Sequence, residues 1–234
     1  MSPATILTIA LVAAPAVAGP ASGPSSADVV AGLQASYEAT TDLMASFEQV
    51  YTYKVGGLTK SSTGRIFMKK PGRMRFDYLT PSKRHFISDG EVLWVYEPDQ
   101  AQAFQDSLKS SQSAVVVSLL LGGGDIEKDF DHSLLAADEG GRHQLQLVPR
   151  KSARTFRRVV LTLDPSSFRV MGVRWEDPTG NHNRMVFGDL KANVGLPEDE
   201  FSFTPPAGTR VIKAPSAPSP AAAPPAASDK AGSP

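Results

Sequence analysis

A curled antiparallel β sheet with one helix ahead of it is the mainly β fold, with helices, that the sequence predicts, and three observations carry that expectation. Beyond Phe47 the hydrophobic period is two for most of the chain, the spacing at which strand side chains alternate between faces. The alternating runs are joined by short turn pairs such as Gly56-Gly57, Pro71-Gly72 and Asp89-Gly90, which suit a meander and leave no room for the crossover helices of a parallel sheet. Ahead of them Val29, Val30, Leu33, Tyr37 and Met44 recur at spacings of three, four and seven, the stripe of an amphipathic helix. A single sheet of about ten strands has to curl or close, so a barrel-like sheet with its apolar residues on the concave face is expected.

In chain order, residues 1–18, "MSPATILTIALVAAPAVA", carry no charge and end in Ala16-Val17-Ala18, which reads as a secretory signal cut after Ala18. Residues 19–26 form a flexible lead-in, and Ser25-Ser26 supply the N-cap of a helix running through "ADVVAGLQASYEATTDLMASF". Strands are expected at 47–55, 64–70, 73–79, 83–88, 91–96, 101–105, 143–148, 156–163, 168–176 and 182–188. The interruption at 108–121, "LKSSQSAVVVSLLL", ends in Gly122-Gly123-Gly124 and suits an apolar segment packed across the sheet. Residues 213–234 are Pro, Ala and Ser with almost no large apolar side chain, too little to offset the entropy of ordering, and read as a disordered tail. The folded domain is therefore expected over 27–212.

The chain has 234 residues, 24 basic against 24 acidic, and no cysteine. Balanced charge disfavours nucleic acid as a ligand, and the lack of thiols removes disulfides and thiolate metal sites. His85, His132, His143 and His182 show neither i, i+4 pairing nor a carboxylate at metal-ligand spacing. Asp129-Phe130-Asp131-His132, on a strand, would put its aspartates on the face opposite His132, so it reads as a solvated edge. The glycines at 122–124 lack the lysine and serine of a phosphate loop, and no serine lies in a strand-to-helix elbow. Glu198, Asp199 and Glu200 read as a solvated charge run. No metal, no cofactor and no catalytic residue is expected.

The stretch "GRIFMKKPGRMRFDYLTP", residues 64–81, reads as a hairpin about Pro71-Gly72. Ile66, Met68, Met74, Phe76 and Tyr78 share one face. With Trp94 and Tyr96 they are expected to line a hydrophobic cavity, because there are too few helices to cover that face. Arg65, Lys69, Arg73 and Arg75 take the other face, toward water or a partner. Lys70 falls by parity on the apolar side, at the rim.

The order "FEQ" (47–49), "MKKPGRMRF" (68–76), "SDGEVLWVYEPDQAQ" (88–102), "LVPR" (147–150) and "FSFTPPAGTRVI" (201–212) resembles LolA, the family of periplasmic carriers that ferry lipoproteins to the outer membrane. The resemblance runs from about Ala27 to Ile212. It implies a curved, incompletely closed antiparallel half-barrel of about ten or eleven strands, with a helical lid over a hydrophobic cavity. It further implies a monomeric periplasmic chaperone that takes acylated lipoproteins from an inner-membrane ATP-driven (ABC) transporter and passes them to an outer-membrane lipoprotein receptor, with no cofactor and no covalent chemistry. In the family the basic residue before the turn proline is an arginine bonded to lid backbone; here it is Lys70, expected to meet the lid around residues 117–124, with Val117, Leu119, Leu120 and Leu121 as lid and gate. Lipid-binding and envelope-stress-sensing proteins look similar at this level, and an exported hydrolase on an apolar substrate is the alternative from another class.

Overall fold

The structure, a computed structural model, describes residues 23–108, 125–151 and 156–213. The expected signal at 1–18, the lid residues Val117, Leu119, Leu120 and Leu121, and the tail beyond Lys213 lie outside them; Lys213 itself, expected in the tail, ends a strand.

Helix α1 spans Ser26–Glu38. The Asp28 amide donates to Ser25 Oγ at 3.2 Å while the Ser25 amide donates to Asp28 at 2.9 Å, a reciprocal box that satisfies two of the free donors at the helix start. Val29, Val30, Leu33 and Tyr37 are buried along one face. The helix stops well short of the expected Phe47, and Met44 lies on a strand instead. Thr40 Oγ1 donates to the Ser36 carbonyl at 2.8 Å and the Thr41 amide donates to Asn193 Oδ1 at 2.8 Å. From Asp42 onward, pairing with two neighbouring strands outweighs helical spacing.

The strands are β1 (Asp42–Thr52), β2 (Thr59–Lys69), β3 (Arg73–Thr80), β4 (Arg84–Ser88), β5 (Val92–Glu97), β6 (Gln102–Ser107), β7 (Phe130–Leu135), β8 (His143–Pro149), β9 (Arg158–Leu163), β10 (Val170–Glu176), β11 (His182–Ala192) and β12 (Arg210–Lys213), with a short helix α2 (Ile126–Asp129) before β7. They form one open twelve-stranded sheet in the order β12-β6-β5-β4-β3-β2-β1-β11-β10-β9-β8-β7. Two of these strands go beyond the sequence reading. β7 is the edge strand containing the expected solvated edge, and β12 runs parallel to β6 in an otherwise antiparallel sheet. Four residues without clear alternation gave β12 no periodic signal.

The two halves of the sheet meet where β1 pairs with β2 on one side and β11 on the other. Bulges interrupt the register at Met44/Ser46, Thr63/Gly64 and Val170/Gly172, and each adds local twist. The core lies on one face, the inner one, where Ile66, Met68, Met74 and Phe76 from one half join Leu145, Leu161 and Trp175 from the other. Helix α1 lies over it and ties the halves together: Gly32 rests on the Phe168 ring in the β9–β10 turn, so close that a Cβ there would be 2.6 Å from the ring. The absence of a side chain at Gly32 is what lets the helix seat.

Candidate functional site

The inner face is built from alternate residues of paired strands, and the pairing fixes which side chains meet. Ile66 lies opposite Phe76, and Met68 opposite Met74, so the five hairpin residues expected in the cavity, Ile66, Met68, Met74, Phe76 and Tyr78, all stand on the inner face. Phe47 packs edge-on against Tyr78 with centroids 5.0 Å apart, and Tyr78 continues to Phe86 at 5.8 Å. Met68 and Met74 are 0% exposed. This part of the face is therefore filled, not open.

Space remains where the C-terminal end of α1 passes over β2 and β11. A cavity with an empty volume of about 580 Å³, including its open mouth, is lined there by Tyr37, Leu43, Ile66, Met68, Val170, Phe187 and Leu190, with Asp42, Lys70 and Arg169 among the polar residues. The enclosed space itself is small, about 40 Å³, so most of that volume is the open mouth and the gaps between packed side chains. Burial pushes the Tyr37 phenol well above its ordinary range, so it stays a neutral wall of the site.

The mouth is held by polar contacts on the end of the helix. The Lys70 ammonium donates to the Tyr37 carbonyl, an acceptor in the last helical turn that also takes the Thr40 amide at 3.0 Å, where positive charge complements the helix dipole. Asn193, at φ +58°, donates from Nδ2 to the Ala39 carbonyl at 2.9 Å and accepts from the Thr41 amide. Asp42, buried at the lip, accepts from the Val194 and Gly195 amides at 2.8 and 3.1 Å. Lys70 thus reaches a helix over the cavity, but the helix is α1. The expected contact around 117–124 lies outside the described residues.

Trp94 and Tyr96 need correcting. Ile87 pairs with Trp94 and Phe86 with Val95, so Leu93 and Val95 enter the core while Trp94 and Tyr96 face outward. Phe203 covers them, with centroids 5.6 and 5.1 Å away. Size and apolarity pointed these aromatics inward, because a strand apolar on both faces does not reveal which is the core. Sequence reasoning also missed Tyr37, Leu43, Val170, Phe187 and Leu190; Val170 and Phe187 sit on expected strands, and their alternation was the available signal.

The outward cations of the hairpin are largely occupied. Lys69 and Arg73 both meet Glu198, at 2.7 and 3.0 Å, and Arg75 meets Asp77 at 2.9 Å and Glu200 at 3.5 Å. Glu198 and Glu200, read as a solvated run, fold back as counter-ions. Burial alone would raise the Asp77 carboxyl, but the hydrogen bond from His85 at 2.6 Å and the Arg75 guanidinium hold it below its ordinary value. Among the described residues no group of three or more His, Cys, Asp or Glu could hold a metal, and no helix is long and apolar enough to cross a membrane.

Comparison with known proteins gives a consistent picture. The family model described as outer membrane lipoprotein carrier protein LolA matches residues 38–204. A protein named outer-membrane lipoprotein carrier protein from Chromobacterium violaceum is 29% identical over 202 residues, covering 86% of this chain and 96% of the relative. One of the same name from Methylibium petroleiphilum is 31% identical over 192 residues, covering 82% and 93%. A solved structure of an uncharacterized conserved protein from Thermus thermophilus superposes with a TM-score of 0.53 at 12% identity, covering 81% of this chain and 99% of that one, a likeness of fold alone.

Proposed function

Because the chain belongs to the LolA family of outer-membrane lipoprotein carrier proteins, we propose that it is a periplasmic chaperone whose domain, residues 27–212, takes up the acyl chains of lipoproteins between α1 and the inner face of the sheet. Export would depend on residues 1–18, and the tail at 213–234 would lie outside the carrier domain. The cargo would come from an inner-membrane lipoprotein-releasing ABC transporter and pass, from a monomeric carrier, to an outer-membrane receptor. No cofactor and no covalent step is needed.

The observation that carries this reading is the apolar cavity beneath the end of α1, closed by a lysine on the helix backbone. Each buried methylene favours uptake by ~0.8 kcal/mol, so about ten of them supply about 8 kcal/mol. The inner face beside the cavity is already packed, with Met68, Met74 and Phe76 under the helix. A full acyl chain therefore enters only if α1 lifts, and the gain from the lipid has to exceed the loss of the helix contacts. A carrier needs that balance: strong enough to load, offset enough to release.

The test is native mass spectrometry of the protein purified from periplasm. A bound triacylated lipoprotein is expected. Free phospholipid alone would replace the carrier reading with generic lipid binding, and an empty protein with hydrolytic activity would overturn both.

A further inference from the structure

The outward side of the other half of the sheet carries charges with no such accommodation. Arg174 on β10 and Arg184 on β11 are paired directly opposite each other, on strands ~4.8 Å apart. Both are exposed, and among the described residues neither makes an ion pair or side-chain hydrogen bond. Like charges facing each other across a ladder are destabilising. Of the acids nearby, Glu176 is held by Arg157 and Arg158 at 3.6 and 3.1 Å, and Glu48, opposite Val186 and so two residues diagonal from Arg184 on the same face, makes no ion pair with it. Lys69, Arg73 and Arg75 of the hairpin have their counter-ions; these two arginines, which face each other, do not.

Their surroundings are shaped. Arg174 and Arg184 stand where two outward depressions meet, with volumes of about 490 and 140 Å³. Val50, Leu135 and Val160 line the larger one, and Val50 and Leu135 are exposed apolar ledges. Two exposed guanidiniums, each able to grip a carboxylate through two parallel hydrogen bonds, thus stand beside apolar shelves. An extended segment can lie along the larger depression, giving carboxylates to the two arginines and alternate apolar side chains to Val50 and Leu135.

We propose that the outward face of β9, β10 and β11 is a docking surface for an acidic, partly apolar segment of a partner protein, gripped by Arg174 and Arg184. The surface lies on the opposite side of the sheet from the cavity, so a partner can hold it without blocking cargo. It goes beyond the carrier reading and does not depend on it, since its test reads no lipid.

The test uses the full chain and a fluorescent peptide alternating glutamate with leucine, with an otherwise identical lysine–leucine peptide as control. Fluorescence anisotropy should show salt-sensitive binding of the acidic peptide only, and amide shifts should map to β9–β11. In R174Q/R184Q the affinity should fall at least about tenfold, the loss expected for charged hydrogen bonds, while the melting temperature is unchanged or higher because the repulsion is gone. Should that variant unfold, R174K/R184K, which keeps the charge without the planar fork, should weaken binding in a folded chain. Equal affinity in wild type and variants, or shifts confined to other strands, would overturn the proposal. So would loss of sedimentation with phosphatidylglycerol vesicles while peptide binding survives, which would make the surface a membrane contact.

Discussion

Lys70 illustrates how much one side chain can decide. Its ammonium caps the Tyr37 carbonyl at the end of α1, where a lysine supplies a point charge and an arginine would supply a fork. Lys70→Leu should leave that acceptor without its cation and cost about 1 kcal/mol, seen as faster hydrogen exchange at the α1 amides and altered release of cargo to the receptor. Unchanged exchange and release would remove Lys70 from the gate. Lys70→Arg should preserve or tighten the closure. Asp77 acts on the other face. Its carboxyl is held below the ordinary value of 3.8, so the stability it contributes is fully present above that pH and is lost as pH falls through the lower folded value. Thermal melts of wild type and Asp77→Asn should differ by a constant amount from neutral pH down to about 4 and converge only below it. Convergence already between pH 5 and 6 would show that the Asp77 carboxyl is not held below its ordinary value.

Helix α1 depends on its seat more than on its own propensity. At thirteen residues it falls within the ~12–15 residues below which isolated helices are marginal in water, and its stability comes from Val29, Val30, Leu33 and Tyr37 against the sheet. Gly32 allows the close approach to Phe168. Gly32→Ala gains intrinsic helix propensity, ~1 kcal/mol, yet places a Cβ 2.6 Å from the ring. The overpacking should win, with a net destabilisation of about 1 kcal/mol read from denaturant melts. A net stabilisation would mean that the ring moves aside freely. The same sensitivity to seating makes α1 suited to moving. It is held at its C-terminal end by Lys70 and Asn193, so it can lift from the sheet without leaving the molecule.

Across the whole molecule, stability is graded from the centre of the sheet outward. β1 is paired along eleven residues with β2 and on its other side with β11, whereas α1 rests on side-chain packing and β12 is a four-residue edge strand. Native-state hydrogen exchange should therefore show the amides of β1 and β11 opening only with global unfolding, and those of α1 opening at lower free energy. Binding of acylated cargo should widen that gap as α1 gives up its contacts. Equal opening free energies for α1 and β1 would rule out the helix as the moving part. The two outer faces divide the remaining work: the C-terminal segment neutralises the basic hairpin through Glu198 and Glu200, while Arg174 and Arg184 stay open.

The sequence alone determined the elements whose signal is local. The capping serine and apolar stripe of α1, the Pro-Gly hairpin, and the inward set Ile66, Met68, Met74, Phe76 and Tyr78 follow from periods of 3.6 and 2, and the motif order resembled the family to which the chain belongs. Tertiary structure decided everything that depends on a distant partner. Met44 joined a strand because β11 pairs with it, and Trp94 and Tyr96 turned outward because their register with β4 leaves them for Phe203 to cover. Lys70 found Tyr37, 33 positions earlier in the chain, and Arg174 came to face Arg184 across a ladder. Periodicity tells each residue which neighbours share its face; only the pairing of strands far apart in the chain says which face is inside and which charges are left without a partner.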